Sequence, residues 1–148
     1  MNQQALLDYL YAHIPLSQAM GVTVQSLAQG SVTLAAPLAP NINHRGTAFG
    51  GSISTLATLA AWSLLRVGTD TLDPLPRLVI RRNTVDYSQP VAGDFTATAH
   101  APGVEVWNRF LDTLAQRGRA RITLSASVRS GDVLAATFVG DFVALRLV

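Results

Sequence analysis

The stretch from Ser52 to Val67 constrains the fold of this 148-residue chain more than any other part of it. Its sequence, SISTLATLAAWSLLRV, is apolar or small on every face of a helix, and Gly68 follows as a helix C-cap. It overlaps an uncharged run from Gly46 to Leu65 that reaches membrane length but holds three glycines, three serines and three threonines. These small and polar residues argue against a lipid-spanning helix, so we expect a helix buried inside the protein.

The rest of the chain alternates between strand-like and helical segments. Pro15 ends an amphipathic N-terminal helix, and turns containing Gly30 and Gly131 join neighbouring strands as hairpins. One buried helix and about six strands predict an α+β fold, in which an antiparallel sheet wraps around a central helix as a single domain over residues 1–148. The predicted segments are a helix at 2–14, strands at 22–27, 31–38, 77–87, 95–101, 119–129 and 133–147, and a second amphipathic helix around 107–114.

Composition excludes several kinds of function. The chain is 49% hydrophobic and only 14% charged, whereas a typical soluble domain has about 25% charged residues. It contains no cysteine, which excludes disulfides, thiolate nucleophiles and cysteine-bound metals. The three histidines are too scattered to indicate a metal site, so we expect no metal and no cofactor.

The charge balance bears on partners and location. A net charge of +2 gives little support to nucleic-acid binding. The low charge favours a surface that is partly covered by a second copy of the chain, and a single curved sheet has an open edge, so we expect a homodimer or a higher oligomer. The N-terminus lacks the basic segment of a signal peptide, which predicts a cytoplasmic protein with no membrane partner.

Two adjacent glycines precede the buried helix. Gly50 and Gly51 would let a ligand approach the backbone closely, and the N–H groups of a first helical turn have no partner within the helix. Aided by the positive end of the helix dipole, these groups can bind a carbonyl oxygen or an oxyanion. The alternative is a tight turn that only admits the chain to the core. A phosphate-binding loop is not indicated, because no Gly-Lys-Ser/Thr follows.

Several motifs together resemble a known family. They are Asn-x-x-Gly-Thr-x-Phe-Gly-Gly-Ser at 43–52, Asp-Tyr-Ser-Gln-Pro at 86–90, Gly-Asp at 93–94, Trp-Asn-Arg-Phe at 107–110 and Gly-Arg-Ala-Arg at 118–121. The chain resembles the hot-dog thioesterase superfamily and, more narrowly, the bacterial putative-thioesterase (YiiD C-terminal domain-like) family that includes malonyl-acyl-carrier-protein decarboxylases. The resemblance implies a hot-dog fold and a dimer with two sites at the subunit interface. It also implies a substrate held as a thioester on acyl carrier protein or coenzyme A.

One departure from the superfamily concerns the central helix. Many hot-dog thioesterases carry an acid about two turns into this helix, and the corresponding residue here is Thr58. No acid occurs between Arg45 and Asp70, so the helix supplies no general base for hydrolysis. Loss of carbon dioxide from a malonyl thioester needs a stabilised enolate oxygen and no base to begin. We therefore expect malonyl-acyl-carrier-protein decarboxylation, in fatty-acid metabolism.

The candidate catalytic residues are Asn43, His44 and Asp86. The Asn43 amide would join the backbone N–H groups as a neutral donor to the enolate oxygen. His44 would donate to the carbonyl or protonate the product, unless it is simply exposed to solvent. Asp86 is the one acid expected to activate water, unless it pairs with an arginine. The candidate substrate-binding residues are Gly50, Gly51, Ser52 and Thr58.

The residues leave two other functions open. A thioesterase would use Asp86 and water to hydrolyse acyl thioesters, and a non-catalytic acyl-carrier-binding module would hold an acyl thioester unchanged. Ser52 is expected to cap the helix rather than act as a nucleophile, since no His-Asp pair can be placed around it. Arg117, Arg119 and Arg121 would meet the acidic surface of a carrier protein or the phosphates of coenzyme A, or form an ordinary solvated face.

Overall fold

A computed structural model describes residues 1–147 of the protein. The helices are α1 (Gln3–His13), α2 (Pro15–Ala19), α3 (Gly50–Gly68) and α4 (Val104–Arg117), with a short 3-10 turn at Ala39–Asn41. The strands are β1 (Thr23–Ala28), β2 (Ser31–Ala36), β3 (Arg77–Tyr87), β4 (Phe95–His100), β5 (Arg119–Ser130) and β6 (Val133–Leu145). Within residues 1–147, none of the helices combines the length and hydropathy needed to cross a membrane.

The six strands form one antiparallel sheet in the order β1-β2-β4-β5-β6-β3. β1 and β2 pair as a hairpin, and so do β5 and β6, which confirms the two predicted hairpins. β3 follows α3 in the chain but pairs with β6 at the far edge of the sheet. The predicted α+β fold, an antiparallel sheet around a central helix, is confirmed.

The stretch from Ser52 to Val67 lies within α3, which packs against the inner face of the sheet. Ten of its 19 residues are buried, and it contacts β2, β3, β4, β5 and β6. The indole Nε1 of Trp62 donates to the carbonyl oxygen of Leu78 at 3.0 Å, which ties the middle of α3 to the start of β3. Burial of these apolar side chains supplies the main stabilisation of the fold, at about 25 cal/mol per Å² of apolar surface.

The ends of α3 differ from the predicted ones. The helix begins at Gly50, its N-cap is Phe49, and no side chain makes a capping hydrogen bond there. The prediction that Ser52 caps the helix is wrong, because both glycines are already helical and Ser52 lies in the first turn. At the other end, Gly68 is the last helical residue and Thr69 is the C-cap.

The sheet has two unlike edges. β1 has six residues, is irregular between Val24 and Ser26, and contacts α1. β3 has eleven residues, and β6 is its one strand neighbour in the sheet. The free side of an edge strand presents backbone N–H and C=O groups that pair readily with another strand. β3 is therefore the edge that a second copy of the chain would extend.

Candidate active site

A closed loop leads from the sheet into α3. Ile42 and Ala48 form an isolated antiparallel bridge, and the N–H of Ala48 donates to the Val91 carbonyl oxygen at 2.8 Å. Between them the chain reverses at Gly46, whose φ of +79° is a left-handed conformation that favours glycine. The N–H of Phe49 then donates to the Asn41 carbonyl oxygen at 2.7 Å. These bonds hold the loop at a defined position before the helix starts.

The Asn43 side chain organises this loop from within. Its Oδ1 accepts hydrogen bonds from the N–H groups of Arg45 at 2.8 Å and Thr47 at 3.2 Å. Its Nδ2 donates to the Thr47 hydroxyl at 2.9 Å and to the Ala48 carbonyl oxygen at 3.4 Å. Because the amide group already has these partners inside the loop, the geometry favours a positioning role over the direct oxyanion donor that we predicted.

The start of α3 presents two backbone donors. Within residues 1–147, neither the Gly50 nor the Gly51 N–H has a hydrogen-bond acceptor, whereas the next two N–H groups bond the Phe49 carbonyl oxygen. The two free donors lie at the positive end of a 19-residue helix. A Cβ on Gly51 would overlap the aromatic ring of the exposed Phe49, so the glycine lets this ring lie against the start of the helix. This arrangement suits an oxyanion or a polarised carbonyl oxygen.

Tyr87 borders the candidate site, although the sequence did not single it out as a candidate residue. Its hydroxyl donates to the Gly50 carbonyl oxygen at 3.2 Å, and its ring carbon Cε1 lies 3.6 Å from where a Gly50 Cβ would be. Tyr87, Gly50 and Ile53 border an open hollow of about 260 Å³. The sequence does contain one indication of this position: Tyr87 is the last residue of the strand that follows α3, directly before the sequence Ser-Gln-Pro.

Asp86 lies on the opposite face of β3 from Tyr87. A bulge between Ile80 and Arg82 shifts the strand by one residue, so Asp86 pairs with the exposed Thr137 and points to the outer face of the sheet. Simple alternation from the buried Leu78 would have pointed Asp86 inward. The structure therefore does not bring Asp86 together with the start of α3 within one protomer.

The other two candidates near the helix start differ in exposure. His44 is exposed at the tip of the loop, and within residues 1–147 no hydrogen bond holds its ring. Ser52 is half-buried in the first turn of α3, one residue beyond the two free N–H groups. Both remain predictions, since the geometry of a single protomer neither assigns nor removes a role for them.

Thr58 lies two turns further along α3, in a larger cavity of about 530 Å³ between the helix and β3. Its hydroxyl donates to the Ser54 carbonyl oxygen at 2.8 Å, so the oxygen lone pairs remain to accept a hydrogen bond. Every side chain that lines the cavity is uncharged; they are Ile14, Ser54, Thr55, Thr58, Leu59, Trp62, Leu78, Val79, Ile80, Asn83 and Phe142. The cavity suits the acyl group of a substrate.

The two parts of the candidate site are separated within one protomer. Eight residues of helix place Thr58 about 12 Å along the axis from Gly50. The cavity at Thr58 and the hollow at Gly50 have no lining residue in common. Both open beside β3, the free edge of the sheet.

A further cavity of about 320 Å³ lies at the opposite end of α3, where the β1–β2 hairpin meets the start of α4. It is lined by Leu27, Val32, Leu64 and Trp107 among other apolar residues, and no titratable side chain lines it. None of the predicted site residues borders it. We therefore place the candidate active site at the start of α3 and along β3.

Comparison with known proteins identifies the family. The family model described as "Putative thioesterase (yiiD_Cterm)" matches residues 3–146, nearly the whole chain. The chain belongs to this family. The matched region includes the loop at 43–49, the start of α3 and the whole of β3. The match confirms the resemblance seen in the sequence motifs.

Solved structures of similar proteins agree with the family's fold. A protein of unknown function from Chlorobaculum tepidum is 30% identical, with 98% of this chain and 94% of that chain covered and a TM-score of 0.91. A "putative thioesterase" from Shewanella oneidensis is 28% identical, with coverages of 97% and 96% and a TM-score of 0.85. A protein from Pseudomonas aeruginosa described as a probable thioesterase is 20% identical, with coverages of 99% and 97% and a TM-score of 0.86. This chain therefore has the hot-dog fold.

Proposed function

We propose that this protein acts on acyl thioesters and that its main reaction is decarboxylation of a malonyl thioester held on acyl carrier protein. The observation that carries the proposal is the pair of free N–H donors at Gly50 and Gly51. Such donors stabilise negative charge as it develops on a carbonyl oxygen, and they need no proton transfer to do so. Family membership supports the thioester part of the proposal.

The proposed reaction moves one electron pair towards the two glycines. The bond between the carboxylate carbon and the α-carbon breaks, carbon dioxide leaves, and the electron pair forms a double bond to the thioester carbon. The carbonyl oxygen becomes an enolate oxygen, which accepts hydrogen bonds from the N–H groups of Gly50 and Gly51. A proton from water then adds to the α-carbon and restores the carbonyl group, and the remaining hydroxide combines with carbon dioxide to give bicarbonate. The product is an acetyl thioester, and the carbon–sulfur bond is never broken.

The uncharged Thr58 cavity supports this reaction over hydrolysis. Hydrolysis needs a base to take a proton from the attacking water, and this cavity is lined by uncharged side chains alone. The second candidate is nevertheless a thioesterase, because the matching family is named for that activity. In that case His44, on the loop before α3, is the remaining candidate base, because Asp86 faces away from the helix side of the sheet.

Product analysis separates these reactions. The protein is incubated with malonyl, acetyl and long-chain thioesters of acyl carrier protein and of coenzyme A, and acyl thioester and free thiol are each followed by mass. Acetyl thioester formed from malonyl thioester, with little free thiol, supports the proposal. Rapid release of thiol from plain acyl thioesters supports the thioesterase, and an acyl thioester that stays unchanged for hours supports a binding module.

Asp86→Asn tests the role of the outward-facing acid. We expect this variant to keep malonyl turnover within about tenfold of the parent, because no base is needed to expel carbon dioxide. A thioesterase that depends on Asp86 would instead lose most of its thiol release. The two products are measured separately for parent and variant, and loss of a thiol-releasing activity in the variant would contradict the decarboxylase assignment.

We also propose a dimer formed along β3, because the site is incomplete in one protomer. Two copies of β3 paired antiparallel about Thr84 would set Arg82 opposite the partner's Asp86, and both side chains are exposed on the same face. The same register would bring the partner's Ile80 and Asn83, which line the Thr58 cavity, near Tyr87. Opposite charges thus meet twice across the symmetry axis.

Light scattering at micromolar concentration tests this dimer. We expect a dimer for the parent and about a tenfold higher dissociation constant for Asp86→Arg, because like charges then face each other at two positions. The double variant Arg82→Asp/Asp86→Arg restores opposite charges and should recover the parent value. A monomeric parent, or a double variant no better than the single one, would contradict the proposed interface.

A further inference from the structure

Four arginines form a positively charged corner at the end of the sheet where β3 and β5 begin. Arg77 and Arg119 flank Leu145 on neighbouring strands, Arg121 follows one row along β5, and Arg117 ends α4. All four are exposed, and within residues 1–147 none of them has a carboxylate within 4.0 Å. We call these four residues the arginine corner.

The charge of the chain is unevenly distributed because of this corner. The protein has eleven arginines and nine acidic residues, so four clustered arginines leave seven others against nine acids. Arg117, Arg119 and Arg121 border a shared open hollow of about 390 Å³, in which Thr113 and Ala120 complete the lining. Several like charges on one part of a surface attract an acidic partner and speed its association.

We propose that the arginine corner docks the acidic surface of the carrier protein that delivers the thioester. This inference rests on the proposed function and names the surface that would select its substrate carrier. The corner is broad and solvent-exposed, and the guanidinium groups come from two strands and a helix end. Such a surface fits several carboxylates of a protein, whereas a free nucleotide needs an enclosed pocket to hold its base.

The corner is also placed near the site of the partner subunit. Arg77 begins β3 and Tyr87 ends it, and Tyr87 contacts Gly50 at the start of α3. When two copies of β3 pair antiparallel, the Arg77 end of one protomer lies beside the Tyr87 end of the other. The side chains of Arg77 and Arg119 face outward and Tyr87 faces α3, so the acyl arm of a carrier protein on this corner would pass around the end of the paired strands to reach the helix start of the partner.

Charge reversal at Arg119 and Arg121 tests the corner. We expect Arg119→Glu/Arg121→Glu to raise KM for the carrier-bound substrate by about tenfold or more, with kcat nearly unchanged and the effect shrinking at high salt. The matched control is Arg109→Glu/Arg129→Glu, which changes net charge equally at exposed positions outside the corner. Far-UV circular dichroism checks folding, and Arg119→Gln/Arg121→Gln gives a milder change should the reversal misfold.

Two further measurements separate the corner from the proposed reaction. Turnover of malonyl-pantetheine, which lacks both the phosphates of coenzyme A and the acidic surface of the carrier protein, should be the same in all variants. Direct titration of carrier protein lacking an acyl group measures docking without chemistry. If KM for the coenzyme A thioester rises equally, the corner binds phosphate groups and the docking proposal is overturned. Equal carrier affinity in the corner and control variants also overturns it, whereas no turnover of any thioester would refute only the proposed reaction.

Discussion

Replacing Thr58 by aspartate is expected to lower malonyl-thioester turnover about 100-fold and to create thioester hydrolysis. The new carboxylate would lie in a cavity of uncharged side chains and face the carboxylate of the substrate. Two like charges about 5 Å apart repel by about 3 kcal/mol at the effective dielectric of a partly buried site. The same carboxylate supplies the base that hydrolysis needs, worth about 100-fold or more in rate.

Thr58→Asn is the matched control for this change. Asparagine has the size of aspartate and loses the same hydroxyl bond to Ser54 but carries no charge. It should keep malonyl turnover within about tenfold of the parent and gain no hydrolysis. Acetyl thioester and free thiol are measured for both variants. Equal behaviour of the aspartate and asparagine variants would show that Thr58 lies away from the reacting groups.

Asn43→Ala is expected to lower kcat for malonyl thioester about 100-fold while costing only about 1 kcal/mol of stability. The substitution removes four hydrogen bonds inside the loop that leads to Gly50. A partly exposed loop bond contributes little to folding, but displacement of a catalytic donor by about 1 Å can reduce a rate about 100-fold. Turnover is compared with the free energy of unfolding from a urea titration.

Asn43→Ser decides between the two roles of this side chain. A serine hydroxyl can accept the Arg45 N–H and rebuild part of the turn. If Asn43 positions the loop, the serine variant should recover to within about tenfold of the parent. If the amide itself contacts the enolate oxygen, serine should be as inactive as alanine. Full activity of Asn43→Ala would contradict both roles and leave Asn43 as an ordinary turn residue.

The bulge in β3 shows where reasoning from the sequence failed. The bounds of this strand were predicted correctly, because its β-branched and alternating residues are a local signal. The shift between Ile80 and Arg82 depends on how β3 pairs with β6. That shift turns Asp86 outward and Tyr87 inward, and alternation along one strand contains no record of it.

Asn43 is a second residue whose role the sequence could not predict. The motif predicts an amide close to the helix start, and in the structure the Asn43 Nδ2 donates to the carbonyl oxygen of Ala48, two residues before α3. Whether the amide group is free to meet a substrate depends on which loop atoms lie near it. Its bonds to Thr47 and Ala48 arise from the reversal at Gly46, which is a property of the folded loop.

The sequence by itself determined the buried helix, the hairpins and the pair of glycines at the start of α3. These depend on hydrophobicity and backbone chemistry, which act over a few neighbouring residues. Tertiary structure alone decided which face of β3 carries Tyr87, where the uncharged cavity lies and which sheet edge stays open. Those features depend on pairing between strands that are distant in the chain, and one shifted hydrogen-bond register changes them all.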